Sequence, residues 1–198
     1  SFWVSINDDS ATDTAIDVRQ FYGTVDGSFG QVLLGKDFPL FNRTNIFLDE
    51  ILLGFGKTGG ARQGQGVSFG NIGSGYTYPL PVAQITYRTP DLSGFKLALG
   101  LFDPAATATG AGVEEDVPRF EAEATFSRKF MDDKAEMIAW AGFLTQSSEN
   151  AAGASSDSNG VSYGLNLKYA GASLTASGFD GEGLSVLGPW SVDPNTNV

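Results

Sequence analysis

Apolar and polar residues alternate with period two along most of the chain. Between residues 161 and 169, Val161, Tyr163, Leu165, Leu167 and Tyr169 point one way while Ser162, Gly164, Asn166 and Lys168 point the other. That is the pattern of a strand with one apolar and one polar face. Leu174 and Ala176 alternate with Ser173, Thr175 and Ser177, and Ala83, Ile85 and Tyr87 alternate with Gln84, Thr86 and Arg88. Phe95, Leu97, Leu99 and Leu101 face away from Lys96, Ala98 and Gly100. Phe120, Ala122, Ala124 and Phe126 oppose Arg119, Glu121, Glu123, Thr125 and Ser127, which places three charges on one face of one strand. Residues 2–7, 16–25, 29–36 and 134–146 read as further strands. The last is irregular, because Ile138 and Trp140 fall on the face that is polar elsewhere. About nine strands result.

The connections alternate as well. They run long (8–14), short (26–28), very long (37–80), short (89–94), long (103–117), short (129–133), long (147–159) and very short (170–171), with a long tail from 180. A meander with tight turns on one side and extended loops on the other is the pattern of an antiparallel transmembrane β-barrel. A two-sheet sandwich distributes long and short loops over both ends. The bilayer explains the two faces: lipid offers no partner for backbone N–H and C=O groups, so a closed sheet turns its apolar side chains outward and its polar ones to a wet lumen. Tyr22, Tyr87, Phe95, Phe102, Phe126, Phe130, Tyr169 and Phe179 lie near strand ends and suit interfacial girdles. The fold class is therefore all-β.

The 44-residue stretch 37–80 is too long for a hairpin connection and too apolar for a solvated flap, carrying Phe38, Leu40, Phe41, Ile46, Phe47, Leu48, Ile51, Leu52, Leu53 and Phe55. Residues 42–53 suit a short helix with Asp49 and Glu50 on it. An apolar loop with a carboxylate pair is best buried against a polar wall, its charges toward a water-filled channel.

Composition narrows the chemistry. There is no His and no Cys, which removes imidazole and thiolate metal sites, disulfides and every Ser-His or Cys-His nucleophile, so no enzyme activity, cofactor or metal is expected. A net charge of −11 argues against nucleic acid, whose phosphates need a basic face. Gly makes up 26 of 198 residues, about twice the usual share of ~7%, so a dense soluble core is not the natural product. No apolar run is long enough for a transmembrane helix. Gly54-Phe55-Gly56-Lys57-Thr58 imitates a phosphate-binding loop, but Ile51 stands where that motif needs its first Gly. Asp8-Asp9 and Glu114-Glu115-Asp116 read as solvated loop charges, with divalent cations bridging lipopolysaccharide as the alternative. Glu121 and Glu123 could suggest paired-acid glycoside chemistry, but Arg119 beside them reads better as part of a charge ladder on a lumen wall.

Gly30-Gln31-Val32-Leu33-Leu34-Gly35-Lys36-Asp37, the loop opening Phe38-Pro39-Leu40-Phe41, the strand Ile85-Thr86-Tyr87-Arg88-Thr89-Pro90-Asp91 and the following Gly94-Phe95-Lys96 together resemble the trimeric Gram-negative general porins. In that family a Phe-Gly-x-Val-x-Leu-Gly-Arg/Lys strand precedes a third loop that folds into the barrel, and a Tyr-x-(Ser/Thr)-Pro-x-x-x-Gly-Phe hairpin follows it. The resemblance covers residues 1 to about 180 and implies roughly strands three to eleven of a sixteen-stranded barrel. Residues 1–198 would then form one partial barrel domain, with 37–80 as its constriction loop. It implies passive diffusion of small hydrophilic solutes and ions across the outer membrane, contact with the lipid bilayer and lipopolysaccharide, and a homotrimer.

Carried over by position, Lys36 matches the basic residue at the end of the strand entering the loop, and Asp49 and Glu50 fall where the family places constriction carboxylates. The surrounding residues depart from the Pro-Glu-Phe-Gly-Gly-Asp pattern of enterobacterial members, and Asn71 lies near a position that is often Arg, which thins the basic wall. Arg19, Arg43 and Arg88 are candidates for the rest of that wall, and Lys96, Arg119, Glu121 and Glu123 are further lumen candidates. The acidic balance favours mild cation preference. An odd strand count and a tail, Pro194-Asn195-Thr196-Asn197-Val198, without a terminal aromatic strand lead us to expect part of a longer polypeptide. Two rival readings stand beside this one. The first is a secreted or surface β-rich binding or adhesin module; the second is a barrel phospholipase, which would need a nucleophile–base pair that a chain without His does not supply.

Overall fold

The computed structural model describes residues 2–5, 15–50, 53–56, 68–71, 76–104, 117–149 and 155–184. In chain order the elements are β1 (Phe2–Ser5), β2 (Ala15–Val18), β3 (Phe21–Gly27), β4 (Gly30–Asp37), helix α1 (Arg43–Leu48), β5 (Leu53–Gly56) and β6 (Ser68–Asn71). There follow β7 (Val82–Arg88), β8 (Phe95–Phe102), β9 (Arg119–Phe130), β10 (Ala135–Glu149), β11 (Ser155–Tyr169) and β12 (Ala172–Glu182). Eight of these make one antiparallel sheet in the order β3-β4-β7-β8-β9-β10-β11-β12, a meander in which each strand pairs with the next. This sheet is not closed: β3 and β12 are its edges. β1 pairs with β2 and β5 with β6 as separate ribbons, the second of them within the long loop.

Burial in the sheet is the reverse of that in a water-soluble protein. Ile85 is 57% exposed whereas its neighbour Thr86 is 0% exposed. On β11, Val161, Tyr163, Leu165, Leu167 and Tyr169 are exposed, and Ser162 and Asn166 are buried. The register carries the apolar face from strand to strand: Leu34 sits opposite Ile85, Ile85 opposite Leu101, and Phe95 opposite Phe126. From Val161 to Tyr169 the apolar row runs about 26 Å along the strand at ~3.3 Å per residue, which at the ~35–45° tilt of barrel strands covers about 20 Å of an apolar band ~25 Å tall.

Several details differ from the reading of the sequence. Residues 16–25 are not one strand, because the ladder breaks at Arg19 and Gln20. Both side chains engage the long loop, Arg19 bonding Tyr78 near its end and Gln20 bonding Asp37 at its start, and successive residues of a regular strand cannot point the same way. Residues 147–159 are mostly strand rather than loop: Ser147 pairs with Asp157 and Glu149 with Ser155, so only residues 150–154 separate β10 from β11. Among the girdle aromatics, Tyr87, Phe95, Phe126, Phe130 and Tyr169 lie on the apolar face, but Phe102, 1% exposed, turns to the polar face beneath Leu40. Tyr22, opposite Gly35, and Phe179, opposite Ser162, share that polar face.

Gly35, in the middle of a strand, has φ +129, and a Cβ there would run into the Phe21 carbonyl and stand 2.7 Å from Tyr22 Cα. A left-handed backbone and a neighbouring main chain both demand glycine at this point. Gly35→Ala is expected to destabilise the protein by about 1–3 kcal/mol, read as a lowered denaturation midpoint in detergent.

Candidate functional site

The polar face of the sheet is covered by the beginning of the long loop. Leu40 packs against Ala98 and Phe102 with Val82 beside them, and Phe41 packs against Leu144 and Leu184 with Phe179 beside them. Consecutive residues thus reach β7–β8 on one side and β10–β12 on the other, and the chain straps across the wall. Glycines make room for it. A Cβ at Gly160 would stand 2.8 Å from the Phe41 ring, and one at Gly164 would overlap the Trp140 indole.

Polar anchors fix the strap. The Phe41 N–H donates to Glu121 Oε2 at 2.7 Å, and Thr44 gives both its N–H (3.1 Å) and its hydroxyl (2.7 Å) to Glu123 Oε2. The Trp140 indole N–H donates to Asn45 Oδ1 at 2.7 Å. These bonds explain how so short a helix is stable here. Asn42, the residue before α1, is left-handed and makes no side-chain cap, and its amide donates instead to Thr77 at 2.6 Å. The wall carboxylate of Glu123 takes over the capping of the Thr44 N–H, and negative charge at a helix start is favourable. Glu121 is itself paired with Arg119 Nε at 2.7 Å, and the Arg119 guanidinium lies 5.7 Å from the Phe102 ring centroid. At the root of the loop, Asp37 accepts from Gln20 (2.6 Å) and from Arg43 (3.1 Å), and its carbonyl accepts from Gln84 (2.6 Å).

The residues singled out from the sequence separate into groups. Arg119, Glu121 and Glu123 lie together on the polar face as expected, but they anchor the loop rather than form an open ladder. Asp49 follows α1 and accepts from the Tyr76 hydroxyl at 2.8 Å. Burial, followed by that carboxylate, pushes the Tyr76 hydroxyl above the ordinary phenol range, so it remains a donor. Glu50 is exposed. Arg88 shares the polar face with Gln84 and Thr86, within electrostatic reach of Arg43, Glu123 and Asp37. Arg43 belongs to the loop, held by Asp37 and by the Phe38 carbonyl at 2.8 Å. Arg19 brackets the loop's two ends through Tyr78 and the Phe38 ring.

Lys36 departs from the expected basic wall. Period two sets it with Leu34, and its cross-strand partners Phe21 and Ala83 are on the exposed apolar face. Lys96 makes an exposed ion pair with Asp91 at 3.6 Å beside the β7–β8 turn. The helix ends at Leu48 rather than 53, and β5 takes over the apolar run. Asn71 ends β6, paired along the backbone with Leu53. Asp8, Asp9, Glu114, Glu115 and Asp116 lie outside the described residues.

Trp140, Asn45, Thr44, Thr77 and Tyr76, with Gln20, Asn42 and Gln84, are site residues that sequence reasoning passed over. For Trp140 there was a signal: an indole on a face that is polar elsewhere implies something covering it.

The model of the Gram-negative porin family matches residues 1–192. No curated protein sequence matches the chain. Among solved structures, the crystal structure of the outer membrane channel DcaP of Acinetobacter baumannii is similar, with a TM-score of 0.53 at 15% sequence identity. The match covers 92% of this chain and 46% of that one, so the chain spans about half the length of the solved channel, and at this identity the likeness is one of fold.

Proposed function

The chain belongs to the Gram-negative porin family and so to the outer membrane, and from that premise we propose that it forms part of the wall of a passive, non-enzymatic channel for small hydrophilic solutes and ions. The observation that carries this is the pairing of an exposed apolar face with a polar face crossed by a strapped-down loop. A bilayer rewards the first, and a constricted water column gives a use to the second. A channel wall in lipid has no open edge, so β3 and β12 are taken to be joined by further strands of a larger barrel, sixteen in all on the family resemblance. A homotrimer belongs to the same reading and is tested by the mass of the protein extracted in mild detergent.

In this proposal residues 37–80 constrict the channel, Asp49 and Glu50 supply its acidic side, and Arg88 supplies a basic group on the wall, where Arg119 is neutralised by Glu121. Arg19 and Arg43 are engaged within the loop and Lys36 is on the lipid side, which leaves the basic side thin. Selectivity for cations follows. In planar bilayers with a salt gradient, the reversal potential is expected to carry the sign of cation preference and to move toward zero in Glu50→Gln. Anion preference would overturn the selectivity, and absence of stepwise conductance would overturn the channel. A surface binding module without channel activity would show no conductance.

A further inference from the structure

Beside the strap lies a cavity of about 190 Å³, bounded by Pro39, Pro79 and Pro81, the Phe41 and Leu144 side chains, and the charged pair Arg119 and Glu121. It is smaller than the ~300–1,000 Å³ typical of drug-sized ligand sites, which limits an occupant to about one ring. Its walls are mainly apolar, with a few polar groups among them.

Those polar groups are incompletely used by the protein. Arg119 is 5% exposed and Glu121 1% exposed. Nε and Oε1 are engaged with each other at 2.7 Å, and the second Glu121 oxygen accepts from the Phe41 N–H. Among the described residues, no hydrogen bond is made to either terminal nitrogen of Arg119. Buried charged donors without an acceptor are costly, and native proteins satisfy them with water or a ligand. Thr77 and the exposed Asp103 add a hydroxyl and a second carboxylate to the lining.

The chemistry of the set selects among ligands. Arg119 is already compensated by Glu121, and Asp103 makes the lining net negative, so an anionic solute gains little. A hydrophobic solute would leave the terminal nitrogens of Arg119 without an acceptor. We propose that this cavity is a recognition site for a neutral, hydroxyl-rich solute of single-ring size, a monosaccharide. Adjacent hydroxyls accept from Arg119 and donate to Glu121 and Asp103, while the C–H faces of the ring rest on the prolines and Phe41. The site deepens the channel reading by naming a solute class, and it rests on the polar face being wet.

Calorimetric titration of the detergent-solubilised full chain separates the two, because binding is then read without conductance. Methyl β-D-glucopyranoside is expected to bind saturably with Kd on the order of 1 mM. Glucuronate, which adds a carboxylate, and triethylene glycol, which lacks adjacent hydroxyl pairs, are expected to bind about tenfold more weakly. The double variant Arg119→Gln with Glu121→Gln, which keeps an acceptor for the Phe41 N–H, should weaken hexose binding at least tenfold. Asp103→Asn, at an exposed position that does not endanger folding, should weaken it severalfold. No saturable hexose binding, glucuronate binding as tightly as the hexose, or an Asp103→Asn titration identical to the unmodified protein would each overturn the site. Hexose binding without conductance would leave the site standing and remove the channel.

Discussion

Glu121→Ala is expected to lower the unfolding free energy by about 3–5 kcal/mol, the usual cost of removing one partner from a buried ion pair. The side chain is 1% exposed and serves two partners at once, Arg119 at 2.7 Å and the Phe41 N–H at 2.7 Å. Truncation strands a buried guanidinium and orphans a buried amide, and neither can turn to bulk water. Glu121→Gln should cost less, since its carbonyl oxygen still accepts from Phe41. The loop loses its fixed seat along with the stability, so in bilayers the Ala variant should show larger and noisier unit conductance. Denaturant midpoints for the unmodified, Gln and Ala forms, measured in one detergent, decide the matter. An Ala form within about 1 kcal/mol of the unmodified protein would mean that the strap is held elsewhere.

Leu165→Arg should be nearly as damaging, through a different mechanism. Leu165 is on the apolar face between Ala139 and Ala176, in the middle of the exposed row of β11. A cation at the depth of the bilayer midplane costs about 2–4 kcal/mol in a transmembrane barrel. Ser177→Arg is the matched control: one step away in the ladder, opposite Gly164, it faces the polar side and is exposed there. Refolding into lipid vesicles, followed by the gel mobility of the compact form, should show a deficit for Leu165→Arg and near-normal yield for Ser177→Arg. The reverse order would turn the sheet inside out.

The faces of the sheet could be read from the sequence because period two is a local property. Val161 to Tyr169 announces itself without reference to any other segment. The anchoring of the loop could not be read this way. Glu123 is recognisable as a polar-face residue, but nothing in its neighbourhood says that its partner is Thr44, 79 residues earlier. The same holds for Trp140 and Asn45, 95 residues apart. Long-range contact decided the exceptions: Phe102, which the alternation of β8 already sets with Ala98 and Gly100, packs under Leu40 rather than joining an aromatic girdle, and Arg19 and Gln20 give up the ladder to hold the root of the loop. The place of Lys36 was available from strict counting along β4, against the expectation carried over from the family resemblance.

The strap's anchors also impose an order on assembly. Each joins chain segments roughly 80 to 95 residues apart, and contacts so distant pay their loop-closure entropy only once intervening structure has shortened the path. The hairpins from β7 through β10 can zip locally, so the carboxylates of β9 and the indole of β10 exist as a receiving surface before α1 has anywhere to settle. Residues 38–48 should therefore be the last part of this region to gain protection from hydrogen exchange during refolding, and the first to lose it when the protein is warmed.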